Sequence, residues 1–376
     1  MSSPDVFALS IHADYRCRHS GACCTADWDV PVELPVYRTL KDAVDAGRLQ
    51  PHAAARHLDP FIVEPDLPED AAAILERTET GSCVFLDSQT KLCIVHRDAG
   101  EPALPATCRY FPRLAVRDGR GTFITLSHFC PTAASMLFRD GCPLTIASGP
   151  PAFPAGDYEG LVVTSDDLPP LLTPTTLMDP AGYSAWERHM VMRCAETRRS
   201  PEEVVATLAR DARLLRTWKP GRQTLAAAVG GLPPEPEQAA STETDTFDRG
   251  LVLYAQVVEA IPDDLRPGPD EHGLDAAFAR FVRPAWSGFF VPLNRYVAAK
   301  AFASWTAYQG RGVLSIVRGL EAALAVVRVE AARQCRHAGR RLDADLLREA
   351  FRSADFILNH LAVGEDLAAA WSAAES

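Results

Sequence analysis

Seven of the ten cysteines fall within the first 130 residues, and all seven lie in four short runs. In order along the chain, they are Cys17, Cys23 and Cys24, then Cys83 and Cys93, then Cys108, and finally Cys130. Thiolates are soft donors that suit zinc and iron–sulfur clusters, and one site of either kind usually takes four protein ligands. The pattern therefore predicts an N-terminal region that folds around a metal or cluster, with more candidate ligands than one site uses.

The spacing of the runs does not identify the metal. It lacks the paired Cys-x-x-Cys knuckles of a zinc ribbon, and it lacks the three-cysteine run by which radical enzymes bind an iron site. Free cysteines also serve as small buried hydrophobes, but seven of them in one segment disfavour that interpretation. The sequence thus indicates metal or cluster binding and leaves zinc and iron open.

The cysteine runs suggest a ligand set. Cys83, Cys93 and Cys108 are predicted ligands, joined by Cys17 or by one member of the Cys23–Cys24 pair. The two adjacent cysteines would point to opposite faces of an extended backbone, so they would rarely bind one ion together. Cys142, Cys194 and Cys335 lie outside the runs and are predicted to be packed thiols. His19, His96 and His128 are candidates for ligands or structural groups. Arg109 and Arg113 are candidate donors to a cluster or an acidic substrate, and Trp28 is expected to pack against the cysteine loop.

Charge and hydropathy limit the partners. The chain of 376 residues has a formal net charge of -11, which argues against nucleic acid and against an anionic membrane surface, since both attract clustered Lys and Arg. A local basic patch is still compatible with Arg97, Arg109, Arg113 and Arg117, which are close in sequence. No targeting segment or membrane span is visible, so we expect a cytoplasmic protein in which clustered cysteines remain reduced.

The predicted fold class is α+β, mostly α, with a cysteine-rich α+β domain over residues 1–144 and an α-helical domain over 183–376. A Pro-rich connector, 145–182, separates them because its prolines interrupt any long helix. The helical half has capping and periodicity signals, such as Ser200-Pro-Glu-Glu203. The N-terminal elements predicted are helices over 35–48, 68–78 and from Pro131, and strands over 84–86, 93–96, 114–118 and 122–127. A further strand is predicted over 160–164.

Five motifs, taken in order, resemble a bacterial cysteine-cluster family of zinc- or iron-chelating domains, and most closely its flagellin lysine-N-methylase-like branch. The resemblance covers residues 15–134. The motifs are Cys17…Cys23-Cys24 with Trp28, Cys83-Val-Phe-Leu86, Cys93-Ile-Val-His-Arg97, Cys108-Arg-Tyr-Phe-Pro-Arg113 and Ser127-His-Phe-Cys130-Pro-Thr-Ala-Ala134. One position departs from the family, because Ser20 stands where relatives carry a further cysteine.

The resemblance implies an iron–sulfur cluster, of the 4Fe-4S type, or zinc. It also implies methyl transfer from S-adenosylmethionine to lysine amines of a partner protein such as flagellin. Methylation would need a base to deprotonate the amine, and the chain does not single one out. The carboxylates and phenol near the motifs are Asp14, Asp27, Asp29 and Tyr110.

Three functions remain open from the sequence. The first is a metal- or cluster-dependent lysine N-methyltransferase, and the second is a non-catalytic protein that zinc stabilises and whose helical domain binds a partner. The third is a redox or metal-handling protein that uses the spare thiols. Iron content and bound S-adenosylmethionine would favour the first, one zinc per chain the second, and readily exchanged metal the third.

Overall fold

The computed structural model describes residues 5–26, 28–51, 59–64, 67, 70–154, 158, 162–163, 170–234, 243–266, 272–308 and 312–373. Its strands are β1 (Val6–Leu9), β2 (Pro31–Glu33), β3 (Phe61–Ile62), β4 (Ala71–Leu75), β5 (Arg113–Asp118), β6 (Gly121–Leu126), β7 (Ile146–Ser148), β8 (Val162–Val163), β9 (Leu171–Thr173) and β10 (Thr176–Leu177).

The α-helices are α1 (Leu34–Asp45), α2 (Ile94–Ala99), α3 (Ala106–Tyr110), α4 (Pro131–Met136), α5 (Pro180–Cys194), α6 (Pro201–Leu215), α7 (Leu225–Gly230), α8 (Glu243–Glu259), α9 (Leu274–Ala277), α10 (Arg283–Trp286), α11 (Phe290–Ala301), α12 (Val313–Ala338), α13 (Ala344–Phe356) and α14 (Gly364–Ala373). A 3₁₀ turn spans Ala22–Cys24, and π-helical turns span Phe278–Val282 and Ile357–Leu361. The predicted fold class, α+β and mostly α, is confirmed.

Within the described ranges the main sheet has the strand order β7-β1-β6-β5-β8. The β5–β6 hairpin is antiparallel, with Asp118 opposite Gly121, whereas β1 runs parallel to β6 and β8 runs parallel to β5. Gly121 has φ of +138°, and a Cβ there would lie 2.5 Å from the carbonyl oxygen of Asp5. The tight turn and the close approach of β1 therefore both require glycine at this position.

Both faces of this sheet are buried. Every residue of the central strand β6 is buried, and side chains alternate between the faces, as the two-residue period of a strand requires. Phe123 packs into the large core of the helical half, while Ile124 packs with Tyr15 and Cys130 on the other face. The sheet is therefore the wall between the cysteine region and the helices.

The helical half packs around α12, a 26-residue helix whose residues are mostly buried. Helices α6, α8, α11 and α13 all contact it. Helix α6 begins with a capping box in which the Ser200 hydroxyl accepts from the Glu203 amide and the Glu203 carboxylate accepts from the Ser200 amide. The N-terminal start predicted at Ser200 is confirmed.

A second core lies beneath the cysteine runs. The three-stranded sheet β2-β4-β3, helix α1 and the loop after β4 enclose it. Its buried residues include Val32, Leu40, Ala73, Leu75 and Phe85. The cysteine region thus has its own apolar support, separate from the helical core.

Several predicted elements are confirmed, namely the helix over 35–48, the 114–118 and 122–127 hairpin, and the helix from Pro131. Others are wrong. The predicted helix over 68–78 contains strand β4, because pairing with β2 and β3 outweighs the helix propensity of its alanines; positions 68 and 69 lie outside the described residues. The predicted strand over 93–96 is largely helix α2. In the predicted strand over 84–86, the first two residues form a turn and Leu86 forms an isolated β-bridge with Cys93.

The connector region contributes strands that were only partly predicted. Residues 162–163 form β8, within the predicted strand over 160–164, whose remaining residues lie outside the described ones. Strand β7 was not predicted, and it pairs with β1. The domain boundaries at 144 and 182 stay a prediction. In the part of the chain that the structure describes, no helix is both long and apolar enough to cross a membrane.

Candidate metal site

The loop that carries Cys83 and Cys93 is fixed by backbone hydrogen bonds. The Cys83 amide donates to the Cys24 carbonyl at 2.7 Å, so the first and second cysteine runs meet. A β-bridge joins Leu86 to Cys93, and the Asp87 carboxylate accepts from the amides of two residues in the intervening turn. These hydrogen bonds hold Cys83 and Cys93, which are ten positions apart in sequence, on one side of the loop.

Cys23 and Cys24 lie side by side, contrary to expectation. Gly21, with φ of +72°, turns the backbone into a 3₁₀ turn at Ala22–Cys24, so the chain is not extended there. The two Sγ atoms are 3.8 Å apart. A tetrahedral zinc with Zn–S bonds of about 2.3 Å has an S–S edge of about 3.8 Å, so both sulfurs are placed to serve one centre.

All seven cysteines singled out by the sequence line one cavity of about 460 Å³. Cys17 is exposed at its edge, Cys83 and Cys130 are buried, and the other four are partly buried. The structure therefore brings together runs separated by more than 100 residues. Cys142, Cys194 and Cys335 are not among the lining residues; the last two are buried in the helical core, as predicted for packed thiols.

The thiols form two neighbouring groups within the cavity. A negative charge on Cys23 acts on Cys24, Cys83, Cys93 and Cys108, which are thus close to one another. Cys130 belongs to the second group: its Sγ is 3.6 Å from the Tyr15 hydroxyl. Cys17 joins the groups because it is affected by both Cys23 and Cys130.

Burial keeps most of these thiols protonated. It raises the pKa of Cys83 to about 11, raises the pKa values of Cys17 and Cys93, and raises that of Cys108 well above its usual value. Within the adjacent pair, the hydrogen bond from the Cys24 thiol lowers the pKa of Cys23, and the same bond raises that of Cys24. A bound metal would have to displace these protons.

Positive charge lies next to the thiols, on a residue that the sequence did not single out. Arg77 is buried, and its charge favours the thiolate forms of Cys23, Cys83 and Cys108. One guanidinium nitrogen donates to the Trp28 carbonyl, but Nε and Nη1 have no acceptor among the described residues. Arg109 lines the cavity, and its Nε is likewise buried without an acceptor.

The donor set fits a metal or cluster bound by sulfur. The thiols are soft ligands, and buried guanidinium N–H groups are suited to thiolates or to the sulfides of a cluster. Among the residues that the structure describes, no three His, Cys, Asp or Glu side chains are grouped tightly enough to hold a single ion. The thiols surround the cavity, and a ligand would fill the space between them.

The remaining predicted residues have varied positions. His19 and His96 line the cavity and stack on each other, with ring centroids 5.3 Å apart. Arg113 lies over the Tyr15 ring at its wall, and Trp28 packs among Phe111, Phe129, Phe356 and His360. Arg97 instead pairs with Asp87 and Asp98 away from the cavity.

Of the four groups near the motifs, Asp14 lines the cavity and pairs with Arg139, whereas Asp29 and Tyr110 do not line it. Asp27 lies outside the described residues.

His128 does not line the cavity but belongs to a buried polar network that the sequence gave no reason to expect. The Asp355 carboxylate accepts from the Tyr296 hydroxyl at 2.6 Å and from the His128 amide at 2.5 Å, and it pairs with the Lys300 ammonium at 2.5 Å. His128 Nδ1 lies 3.1 Å from the same carboxylate, and its Nε2 lies 3.3 Å from His12 Nε2. Residues 227 positions apart thus join the cysteine region to α13.

The hydrogen bonds fix the protonation of the two imidazoles. His128 donates from Nδ1 to Asp355, so its Nε2 accepts the proton of His12 Nε2. His12 Nδ1 is then an acceptor, and it is buried without a partner among the described residues. Burial lowers the pKa of both histidines, which keeps them neutral at physiological pH.

Comparison with known proteins supports metal binding. Residues 16–131 match the family model described as "Putative zinc- or iron-chelating domain", whose name gives the pattern CxxCxxCC. That pattern appears here as Cys17-x-x-Ser20-x-x-Cys23-Cys24, with serine at its second cysteine. Searches of curated proteins and of solved structures found no match. The matched segment contains the four cysteine runs whose thiols line the cavity, which supports metal binding by this region.

Proposed function

We propose that the cavity holds an iron–sulfur cluster and that the protein acts through it. The observation that carries the proposal is that seven thiols from four separate runs line one cavity. A single zinc takes four ligands at one point, whereas a cavity of about 460 Å³ has room for a polynuclear cluster. Buried Arg77 and Arg109 N–H groups beside the thiols suit the acceptor sulfides of such a cluster.

Cys23, Cys83, Cys93 and Cys108 are the ligands that we assign to the cluster. They are mutual neighbours in the buried part of the cavity, and Arg77 balances part of their negative charge. Cys24 belongs to the same group, and Cys17 and Cys130 lie beside it. An iron–sulfur cluster would supply one-electron transfer or an iron site for a substrate.

The test is the metal and sulfide content of the full chain purified without air, with its visible spectrum. A 4Fe-4S cluster gives about four irons and four sulfides per chain with a broad brown absorbance. One tightly held zinc in a colourless protein would overturn the cluster and support zinc stabilisation. If small chelators remove the metal readily, the cluster proposal is overturned, and the protein is better described as one that handles metal.

Within this function, we propose protein lysine N-methylation with S-adenosylmethionine as the activity. Its support is the resemblance of the five motifs, together with a cavity that reaches the surface near Cys17. The exposed Glu101 carboxylate also lines that cavity, where it could attract a lysine amine.

The assay is transfer of a labelled methyl group from S-adenosylmethionine to flagellin by protein whose cluster content has been measured. Labelled N-methyllysine is the expected product. Cluster-loaded protein that transfers no label would contradict the methylation and leave the cluster intact.

A further inference from the structure

A second cavity, of about 390 Å³, lies in the helical half. Strand β5, helices α11, α12 and α14, and the π-helical turn Ile357–Leu361 contribute to its walls. Most of its lining is aliphatic or aromatic, including Leu114, Ile316, Leu320 and Leu367. Its volume is within the range of small-molecule sites, which are mostly apolar with a few placed polar groups.

Two donors that line this cavity have no acceptor among the described residues. Trp371 is 5% exposed, and its indole Nε1 is buried and unpartnered. The Nδ2 of Asn359 is also buried and unpartnered. Buried donors in proteins are normally hydrogen-bonded, so each group is suited to an acceptor from a bound molecule.

A third donor, the Lys300 ammonium, lines the same cavity. It pairs with Asp355 at 2.5 Å, and an ammonium has three N–H groups, so two can serve another acceptor. The carboxylate that lines the cavity, Glu365, is exposed. The Lys300 ammonium is therefore less exposed than the Glu365 carboxylate, and Asp355 balances its charge.

The positions of the indole rings depend on small residues. A Cβ on Gly319 would lie 3.1 Å from the Trp371 ring, and one on Gly364 would lie 3.4 Å from the Trp305 ring. The two rings are 6.2 Å apart and tilted by 31°. The wider π-helical turn carries Asn359, and such turns are frequent at functional sites.

We propose that this cavity binds an apolar monocarboxylate, with its hydrocarbon body against the aliphatic and indole walls and its carboxylate on Trp371 Nε1, Asn359 Nδ2 and Lys300 Nζ. A carboxylate has two oxygens that accept several hydrogen bonds, so it can satisfy all three donors. Trp371 Nε1 and Asn359 Nδ2 are buried whereas Glu365 is exposed, so repulsion from Glu365 favours a carboxylate at the buried donors. This site is distinct from the cysteine cavity and does not depend on what that cavity holds.

Decanoate and its neutral counterpart decanamide are the probes, measured by isothermal titration on the full chain as purified. Decanoate should bind at least tenfold more tightly than decanamide. Trp371→Phe keeps a ring but removes the N–H, and it should weaken decanoate binding about tenfold, as the loss of one hydrogen bond to a charged group does. The matched control Trp218→Phe removes an indole N–H outside this cavity, and its affinity for decanoate should stay within about twofold of the parent.

Absence of decanoate binding, or equal affinity for decanoate and decanamide, would overturn the proposal. So would parental affinity in Trp371→Phe. If that variant does not fold, as judged by circular dichroism, Asn359→Leu provides the same test because it removes the Nδ2 donors at similar volume. Metal content is measured alongside, and an unchanged value with weakened decanoate binding separates this site from the cysteine cavity.

Discussion

The cysteine cavity and the Asp355 network are both polar and largely buried, but their polar atoms are satisfied differently. Asp355 accepts from Tyr296, His128 and Lys300, and its oxygens face donors that belong to the protein. At the cavity, by contrast, seven thiols line the wall, and guanidinium N–H groups beside them have no acceptor in the part of the chain that the structure describes. Protein donors satisfy the Asp355 carboxylate, whereas the acceptors for the guanidinium N–H groups beside the thiols are not among the described residues.

This difference predicts different consequences of mutation. Removing one member of a closed buried network leaves an uncompensated charge, so stability is lost. Removing a thiol from an open metal site lowers metal content first, and stability changes because binding and folding are linked. The predictions that follow test this distinction.

The largest expected effect is that of Cys108→Ala. Loss of a central ligand should reduce bound metal to less than about a tenth of the parent value and lower the melting temperature, because metal-binding energy contributes to folding. Metal analysis and calorimetry on anaerobically purified protein provide the measurement. Cys335→Ala is the matched control, since this buried thiol is outside the cavity. Full metal content in Cys108→Ala would remove Cys108 from the ligand set.

Asp355→Asn should destabilise the protein by about 3–5 kcal/mol, because the Lys300 ammonium would lose its buried counter-charge. The free energy of unfolding is measured in urea. Glu349→Gln on the same helix breaks an exposed pair with Arg352 and should cost less than about 1 kcal/mol. If the two regions are separate, metal content in Asp355→Asn folded under native conditions stays at the parent value; a loss of metal there would contradict the distinction.

Acidification should destabilise the protein through its buried histidines. Burial lowers the pKa of His360 to about 4, and it lowers those of His12 and His128. A group whose pKa is lowered by folding contributes stability that is present above its unfolded pKa, about 6.5, and lost as the pH falls through the folded value. For His360 the loss between pH 6.5 and 4 is at most about 3 kcal/mol.

Unfolding of the parent and His360→Gln, compared at each pH, isolates this contribution, because acid release of metal affects both proteins alike. The stability of the parent should fall more steeply than that of the variant between pH 6.5 and 4. If the free energy of unfolding falls equally with pH in the parent and in His360→Gln, folding does not lower the pKa of His360. At neutral pH, the same variant tests the contribution of the 2.9 Å hydrogen bond between His360 Nε2 and the Ser127 hydroxyl.

Ser20→Cys is expected to have the smallest effect. Ser20 lines the cavity at the position of the family's second cysteine, so the substitution adds a thiol at the exposed side without altering the buried group. Bound metal should be released more slowly to a chelator, while the amount bound at the start stays the same. Ser135→Cys, on α4 outside the cavity lining, is the control. Equal rates of metal release from Ser20→Cys and the parent would indicate that a cysteine at position 20 does not strengthen metal binding.

The sequence predicted the content of the cysteine site because thiols carry their chemistry in their residue type. It did not predict the directions of the Cys23 and Cys24 side chains, because these depend on the 3₁₀ turn that follows Gly21. The β5–β6 hairpin is predictable from the local turn signal Asp118-Gly119-Arg120-Gly121. The helix predicted over 68–78 is wrong at β4 because the sheet pairing of β4 comes from residues distant in sequence.

The sequence indicated His128 as a ligand or structural group but did not indicate the network that joins it to Asp355. Its members are ordinary residue types on separate elements, and only the packed chain brings His12, His128 and Asp355 together. Arg77 was missed for the same reason, since an isolated arginine does not indicate burial beside thiols. Long-range burial, and not residue type, determines what these side chains do.

The pairing of His128 with Asp355 also affects the order of events during synthesis. Chains emerge from the ribosome N-terminus first, and the last cysteine of the cavity, Cys130, precedes Asp355 by more than 200 residues. All seven thiols are therefore exposed to the cell before the carboxylate that secures His128 exists. Metal delivered during this interval would meet a cysteine region with its own apolar core but without its helical covering.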